Sequence, residues 1–251
     1  MKILACYSNK GGVGKTATAV NLAHVFAGLG LRVLLCDLDP QGASSFYFRV
    51  KPSKKLSNAQ FFEDVATLTA AIRASDYDGL DILPANLGFR DFDIFLSRMR
   101  DKRSRLKKAL AGVQADYDLI LLDCPPNIST LSENIFRAAD AILVPVIPTT
   151  LSERTFEQLV AFFDAKTLPK AKLMGAFSMV QTQKNLHADT MTALTAAHKK
   201  RFLKAWMPFA SDIERMGVHR APLTATVPNG AAAKAYRALA AEVLARMENG
   251  K

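Results

Sequence analysis

Residues 10–16 read Lys-Gly-Gly-Val-Gly-Lys-Thr and stand between an apolar run at residues 2–8 and a segment with helical periodicity. The glycines allow backbone N–H groups to turn inward around an anion, and the start of the next helix adds its positive dipole end. The closing Gly-Lys-Thr brings an ammonium group and a hydroxyl to the same anion. A strand, a glycine-rich loop and a helix in this order predict a phosphate-binding loop rather than an ordinary turn.

The rest of the chain alternates strand-like apolar runs with helical patterns, which indicates βαβ units. Strands are expected at residues 2–8, 32–37, 80–83, 119–123, 141–146 and 172–179. Their apolar runs do not alternate with polar residues, so helices should cover both faces of the sheet. The first helix is expected at residues 15–30 and the last at residues 231–247. The predicted fold is therefore a single α/β domain over residues 1–251, with a mostly parallel twisted sheet between two helical layers.

Three acidic residues stand where predicted strands end. Asp123 closes the run at residues 119–123, and Asp37 and Asp39 follow the second strand. The carboxyl ends of parallel strands meet at the edge of the sheet where a phosphate loop lies. Asp123 can hold Mg²⁺ through water, and of Asp37 and Asp39 one can support the metal while the other orients a water for attack. For Asp37 and Asp39 the alternative is that they are simply polar residues at the end of a strand, in a solvent-exposed loop.

Composition limits the compartment and the partners. The 251 residues carry a formal net charge of +10, which favours a polyanionic partner, although a solvated basic surface would look the same. No run of 18 apolar residues predicts a membrane span, and the N-terminal apolar stretch is too short for a signal peptide, so a cytoplasmic location is expected. Cys6, Cys36 and Cys124 lie in or beside apolar runs and are predicted to be core residues.

Taken together, these motifs resemble the ParA/MinD family of deviant Walker-A ATPases, and most of all its ParA branch. The resemblance rests on residues 10–16, on Asp37-Leu-Asp39-Pro-Gln-Gly42 and on Asp123-Cys-Pro-Pro126, with further likeness at residues 116–126, 141–146 and 230–243. It implies ATP and Mg²⁺ as cofactors and a slow basal ATPase activity. Residues 207–211 depart from it, since relatives carry Pro-Arg-Asn there beside the adenine.

The resemblance also implies roles for single residues. Lys10 would reach across a sandwich homodimer to the phosphates of the other subunit, Asp39 would orient the attacking water, and Lys15 would contact the phosphates. The residues expected to surround the nucleotide are Gly11, Gly12, Val13, Gly14, Lys15, Thr16 and Ala17. The residues expected at the metal are Thr16, Asp37 and Asp123.

A ParA-like protein would position or segregate a DNA or protein cargo. Its ATP-bound homodimer would hold double-stranded DNA without sequence preference, associated with the nucleoid, until a partner protein stimulates hydrolysis. The candidate DNA contacts are Lys184, Lys199, Lys200, Arg201, Lys204, Arg215 and Arg220. A solvated helix end is the alternative for residues 199–204. The seven Lys and Arg residues at 98–108 are predicted to lie on the exposed side of one helix.

Two other functions remain open at this point. A MinD-like membrane switch would need an amphipathic tail, whereas the last predicted helix here is followed only by residues 248–251, so no membrane partner is expected. A nitrogenase-like reductase would need thiolates in loops, and Cys124 lacks a second suitable cysteine. A metabolic ligase would need a small-molecule pocket, which the sequence does not exclude.

Overall fold

A computed structural model of the protein describes residues 1–249, and it contains a seven-stranded sheet. The strands are β1 Lys2–Cys6, β2 Val33–Asp37, β3 Arg73–Ala74, β4 Leu80–Leu83, β5 Leu119–Asp123, β6 Ala141–Val146 and β7 Leu173–Phe177. Their order is β3-β4-β2-β5-β1-β6-β7, and all neighbours are parallel except β3 and β4. The predicted α/β fold with a mostly parallel sheet is confirmed.

Thirteen α-helices accompany the sheet within residues 1–249. They are α1 Lys15–Gly28, α2 Ala43–Tyr47, α3 Asn58–Glu63, α4 Val65–Ala71, α5 Phe92–Arg98, α6 Arg105–Ala111, α7 Thr130–Ala138, α8 Thr150–Ala165, α9 Asn185–Ala197, α10 Ser211–Glu214, α11 Met216–His219, α12 Leu223–Thr226 and α13 Ala231–Asn249. Two short 3₁₀ helices lie at Leu87–Asp91 and Lys170–Lys172. None of the helices in this part of the chain combines the length and the apolar character needed to cross a bilayer.

Two apolar cores lie on the two faces of the sheet, which explains why its central strands are mostly continuous apolar runs. Leu121 of β5 packs on the face covered by α1 and α13, together with Phe26 and Leu239. Its neighbour Ile120 faces the opposite core, which α3 to α8 cover. Successive strand residues point to opposite faces, so each face requires its own apolar set. All three cysteines are free and buried, as the sequence predicts.

The pairing of the central strands places the two strand-terminal acids beside each other. Asp37 at the end of β2 is in register with Asp123 at the end of β5, and Cys6 at the end of β1 is in register with the same Asp123. Neighbouring strands lie about 4.8 Å apart, so these three chain ends share one small region. The loop that follows β1 therefore meets both carboxylates at the carboxyl edge of the sheet.

Several predicted boundaries differ from the structure. β1 begins as expected but ends at Cys6, and β7 is shorter at both ends because Lys172 belongs to the preceding 3₁₀ helix and the chain leaves the sheet after Phe177. α1 ends at Gly28 and Gly30 takes a φ of +88°, so the glycine serves the turn after the helix. The prediction of one helix under residues 98–108 is wrong, because α5 ends at Arg98 and a turn with Asp101 at φ +55° precedes α6. Residues 250 and 251, the end of the predicted domain, lie outside the described residues.

Candidate nucleotide site

The loop between β1 and α1 is open to a ligand on its inner side. Gly12 and Gly14 have φ values of +70° and +86°, a region that favours glycine. A Cβ at Gly12 would meet no atom within 4 Å, whereas one at Gly14 would lie 3.0 Å from Ser178 Oγ. Gly14 caps α1 without a side-chain hydrogen bond, so the first N–H groups of the helix remain available to an anion.

Lys15 lies inside this loop. Lys15 is only 7% exposed, and its Nζ donates to the Lys10 carbonyl oxygen at 3.1 Å. An ammonium group held among backbone groups at a helix start can pair with phosphate oxygens when these replace the carbonyl contact. Residues 11–17 thus have the geometry of a phosphate cradle.

Lys10 lies at the mouth of the loop and is directed elsewhere. Its Nζ is 3.5 Å from Ser152 Oγ in the first turn of α8, and its backbone N–H donates to Ser8 Oγ at 3.3 Å. The two lysines of the motif therefore do not converge within one protomer. Lys10 remains at the rim, where another molecule can meet it.

The two strand-terminal carboxylates are buried beneath the loop. Asp37 is 0% exposed and its Oδ2 accepts hydrogen bonds from Ser45 N and Ser45 Oγ at 2.8 and 2.7 Å. Asp123 is 1% exposed and its Oδ2 accepts from Ser44 Oγ at 2.8 Å. The other oxygen of each carboxyl group is buried and meets no hydrogen-bond partner within residues 1–249.

Burial disfavours the charged form of both acids. Burial, followed by the charge of Asp123, raises the pKa of Asp37 to about 7. Burial also raises the pKa of Asp123 to about 6, although the Ser44 and Thr16 hydroxyls and the Lys15 charge oppose the shift. Two unpartnered buried carboxylate oxygens beside a threonine hydroxyl match the oxygen ligands that Mg²⁺ prefers. Asp37, Asp123 and Thr16 fit a metal that completes its shell with phosphate and water oxygens.

Asp39 differs from Asp37 in its surroundings. It is partly exposed, and its Oδ1 accepts from Gln41 N at 3.0 Å. Its charge contributes to the raised pKa of both buried acids, so it lies near them while remaining at the solvent side. Asp37 is thus buried, in a position suited to a metal ligand, whereas Asp39 is partly exposed, in a position suited to hold a water molecule.

The sequence reasoning did not identify Ser44, Ser45 and Ser178 as parts of this site. Ser44 and Ser45 open the short helix α2 and hold the two carboxylates, and Ser178 follows β7 and packs against Gly14. The Pro40-Gln-Gly42 turn directly after the acids was the available signal, because it returns the chain to the end of its own strand.

The predicted DNA contacts divide between two ends of the sheet. Arg220 lies near the nucleotide end, since its guanidinium is 4.5 Å from the centre of the Phe46 ring in α2. Lys200 lies at the other end, where its carbonyl oxygen accepts from Arg246 Nη1 at 2.6 Å near the end of α13. Three of the predicted contacts, all exposed, lie near the nucleotide end: Lys184, Arg215 and Arg220. The other four follow α9: Lys199, Lys200 and Lys204 are exposed, and Arg201 is half-buried.

Comparison with known proteins places this geometry in a family. Residues 1–173 match a family model described as an AAA domain. The sporulation initiation inhibitor protein Soj of Bacillus subtilis is 30% identical over 249 residues, which cover 97% of this chain and 98% of Soj. The chromosome partitioning protein ParA of Caulobacter vibrioides is 28% identical over 254 residues, with 98% and 95% covered.

Solved structures agree with the fold. Cobyrinic acid a,c-diamide synthase from Mycobacterium smegmatis, with bound ADP and magnesium, superposes with a TM-score of 0.81 at 27% identity, covering 100% of this chain and 97% of the synthase. The cell division ATPase MinD of Pyrococcus furiosus reaches 0.78 at 19% identity, which shows a shared fold, with 97% and 98% covered.

Fold and site together define a P-loop nucleoside triphosphatase. Within that class, the chain belongs to the ParA/MinD family of ATPases. Its relatives include the chromosome-partitioning ATPase Soj of Thermus thermophilus, and the diamide synthase was solved both with ADP and with an ATP analogue, each together with magnesium.

Proposed function

We propose that this chain is a partition or positioning ATPase whose ATP-bound homodimer binds double-stranded DNA and leaves it after partner-stimulated hydrolysis. Support comes from similarity to Soj and ParA proteins over 97% and 98% of the chain. The observation that carries the proposal is the position of Lys10, whose Nζ lies 3.5 Å from Ser152 Oγ, whereas the Lys15 Nζ lies inside the loop against the Lys10 carbonyl oxygen. A lysine in that position serves a nucleotide bound by a second protomer better than its own.

The proposal assigns a role to each residue of the candidate site. Residues 11–17 bind the phosphates, with Lys15 as their charge partner, and Thr16, Asp37 and Asp123 hold the metal. Bound Mg²⁺ neutralises phosphate charge and fixes the orientation of the phosphate oxygens. Asp39, partly exposed at the rim, accepts a hydrogen bond from the attacking water and so orients it. Lys10 of the second protomer adds a cation only when two protomers meet, so ATP binding and assembly become coupled.

Basic residues at the nucleotide end are suited to hold DNA. Lys184, Arg215 and Arg220 are exposed there, and the chain carries a formal net charge of +10. In a dimer joined through the nucleotide ends, the two copies of this set double the number of phosphate contacts. Neutralisation of phosphates supplies most of the affinity for DNA of any sequence. Binding should therefore depend on dimerisation and hence on ATP.

The test is a salt titration of duplex affinity with ATP, with ADP and without nucleotide, on two unrelated sequences. ATP should give the tightest binding, with equal affinity for both sequences and a log–log slope of about −0.9 per neutralised phosphate. An affinity identical in all three nucleotide states would contradict the nucleotide switch. The variant Arg215→Glu should lower the ATP-dependent part of binding, with Lys51→Glu as an exposed control of equal charge change.

A metabolic ATPase that acts on a small molecule is the second candidate. It is favoured by the 27% identity and the TM-score of 0.81 to the diamide synthase. Stimulation of ATP hydrolysis by DNA separates the two functions. If duplex DNA neither binds nor changes ATP turnover, the metabolic function gains support over the positioning function.

A further inference from the structure

Two of the exposed basic residues at the nucleotide end, Arg215 and Arg220, lie in a segment built from three very short helices. We define the arginine segment as residues 211–226, which contain α10, α11 and α12. Each of these helices has only four residues. Helices of this length are not stable on their own in water. The positions of the two arginines are therefore set by the elements against which the segment packs.

The first of these elements is α2. Arg220 Nε donates to the Phe46 carbonyl oxygen at 3.2 Å, and the guanidinium carbon lies 4.5 Å from the centre of the Phe46 ring. Arg49, which follows shortly after α2, donates from its Nη2 to the His219 carbonyl oxygen at 3.0 Å. Three contacts thus join the part of the arginine segment around Arg220 to α2 and the turn that follows it.

The contact with α2 leaves Arg220 able to bind a phosphate. Its hydrogen bond uses Nε, and its two Nη groups have no hydrogen-bond partner in the described part of the chain. A guanidinium that stacks on an aromatic ring can still donate from its edge to phosphate oxygens. The Phe46 ring therefore restricts the orientation of the arginine without occupying the groups that would contact DNA.

The same helix α2 holds the carboxylates of the candidate metal site. Ser44 Oγ donates to Asp123 Oδ2 at 2.8 Å, and Ser45 Oγ donates to Asp37 Oδ2 at 2.7 Å. Both serines are buried. Phe46 directly follows Ser45, so the ring under the arginine is one residue away from the hydroxyl that holds a carboxylate. A change in the position of the carboxylates is therefore passed to the ring through one short helix.

The second element is α1, which begins at the phosphate loop. Asn21 lies in the middle of α1 and is 0% exposed. Its Oδ1 accepts from the Thr224 N–H of α12 at 3.0 Å, and its Nδ2 lies 3.2 Å from Met216 Sδ in α11. A buried amide is costly unless its polar groups find partners, so these contacts hold the two elements together firmly. They fix the arginine segment to the helix whose first residue is Lys15.

Both supports of the arginine segment thus have their other end in the nucleotide site. Asp37 and Asp123 each accept hydrogen bonds from α2, and each keeps one buried oxygen that meets no partner within residues 1–249. A metal held by these free oxygens would restrain the carboxylates from a second direction, and with them α2. Phosphates bound in the loop would restrain the start of α1. Both restraints reduce the motion that remains to the arginine segment.

We propose that Phe46 is a positioning residue for Arg220, and that α1 and α2 together order the arginine segment when ATP and its metal are bound. This rests on the proposed function for the role of the arginines, the binding of DNA. It adds to dimerisation a second source of nucleotide dependence, one that lies within a single protomer. In P-loop ATPases the metal bridges the β- and γ-phosphates, so hydrolysis weakens its hold. The arginines then lose their order, in the direction that release of DNA requires.

The first experiment is a double-mutant cycle on duplex affinity with ATP and Mg²⁺. Phe46→Ala removes a side chain from a residue that is 47% exposed, so the fold should be retained. Cation–π contacts at exposed sites correspond to about a twofold to fivefold change in an equilibrium, and duplex binding should weaken by a similar factor per protomer. In an Arg220→Ala background, Phe46→Ala should have no further effect. Equal losses in both backgrounds, or no loss in either, would overturn the proposal.

The matched control is Leu29→Ala, which removes an exposed apolar side chain just after the other end of α1. Its duplex affinity should equal that of the wild type. Calorimetry and light scattering should show that Phe46→Ala binds ATP and dimerises normally. A Phe46→Ala protein that no longer dimerises would assign Phe46 to assembly and would also overturn the proposal.

The second experiment needs no DNA. Amide hydrogen exchange in residues 211–226 is measured at a protein concentration where light scattering shows only monomers. ATP with Mg²⁺ should slow this exchange in the wild type, and ADP with Mg²⁺ should slow it less. In Phe46→Ala the slowing around Arg220 should be lost, while the phosphate loop stays protected. Exchange in the wild-type monomer that does not respond to nucleotide would overturn the proposal.

The two experiments distinguish this proposal from the proposed function. If the wild type binds no duplex in any nucleotide state, yet ATP protects the arginine segment through Phe46, the ordering stands and DNA is the wrong ligand. If ATP tightens duplex binding, but Phe46→Ala changes neither affinity nor exchange, the proposed function stands and Phe46 has no positioning role.

Discussion

Lys15 is the residue on which nucleotide binding is expected to depend most. Its Nζ lies inside the loop and donates to the Lys10 carbonyl oxygen at 3.1 Å. Lys15→Ala removes the charge paired with the phosphates, and charged hydrogen bonds contribute about 1.5–3 kcal/mol, so ATP affinity should fall roughly tenfold to a hundredfold. Calorimetry measures this, with Lys10→Ala as the control that keeps monomeric ATP binding. Equal affinity of Lys15→Ala and the wild type would remove this role.

Asp39 should matter for hydrolysis rather than for binding, because it is partly exposed beside the buried acids. Asp39→Ala should bind ATP normally and accumulate as a dimer, while turnover falls by about 10²–10⁴, the usual contribution of a group that orients a nucleophile. Light scattering and phosphate release measure the two effects. Normal turnover in the presence of DNA and a stimulating partner would contradict the assignment.

Because the pKa of Asp37 is raised, we expect the free energy of unfolding of the metal-free protein to depend on pH. Its pKa is about 7 when folded and about 3.8 when unfolded, so between these values the unfolded state loses its proton first. This acid's contribution to the free energy of unfolding should therefore fall as pH rises from about 4 to 7. Asp37→Asn removes this penalty and should therefore stabilise the metal-free protein, more at pH 8 than at pH 5.

Urea unfolding at both pH values, without metal, measures the effect of Asp37→Asn. In the presence of ATP and Mg²⁺ the order should reverse, because the wild type gains binding energy that the variant lacks. A variant less stable than the wild type at pH 8 without metal would show that Asp37 is ionised there and held by other groups.

The site residues divide by how they can be recognised. The loop glycines, Lys15 and Thr16 were predicted because they are neighbours in sequence, and Asp123 was predicted because it ends an apolar run that reads as a strand. Ser44 and Ser45 were not, because their contacts with Asp123 and Asp37 depend on how α2 folds back over the strand ends. Ser44 and Asp123 are 79 residues apart in sequence, and Ser45 and Asp37 are 8 apart. Both contacts arise from tertiary packing, which the spacing of residues in sequence does not reveal.

At the scale of elements, the phosphate loop depends on the left-handed backbone at Gly14. An alanine there would keep a φ of +86° at a cost of about 1–2 kcal/mol and bring its Cβ within 3.0 Å of Ser178 Oγ. Gly14→Ala should thus lower the free energy of unfolding by more than about 1 kcal/mol, measured in urea. Gly11→Ala is the control, since its Cβ meets no atom within 4 Å; equal destabilisation of both would contradict this account.

The elements themselves could be predicted to different degrees. Six of the seven strands were expected, because buried parallel strands are continuous apolar runs. β3 was missed, as two residues of an antiparallel edge leave no pattern. The basic run at residues 98–108 was interpreted as one helix, because the pattern of charges in the sequence does not reveal the backbone turn at Asp101.

At the scale of the whole molecule, basal ATP hydrolysis should be slow. In the single protomer Lys10 Nζ contacts Ser152 Oγ, and under the proposed function the Lys10 cation for the hydrolytic site comes from the second protomer, so it is missing until that protomer arrives. Phosphate release by purified protein should remain far below the roughly 10 s⁻¹ of a median enzyme and rise with protein concentration, DNA and partner. Rapid turnover at low protein concentration would argue for a site complete within one chain.

The parallel direction of six strands brings every residue of the candidate nucleotide site to one edge of the sheet. Two protomers that met at this edge would enclose both nucleotides between them. Release of ADP would then require the pair to separate, so the rate of nucleotide exchange would set the lifetime of the pair.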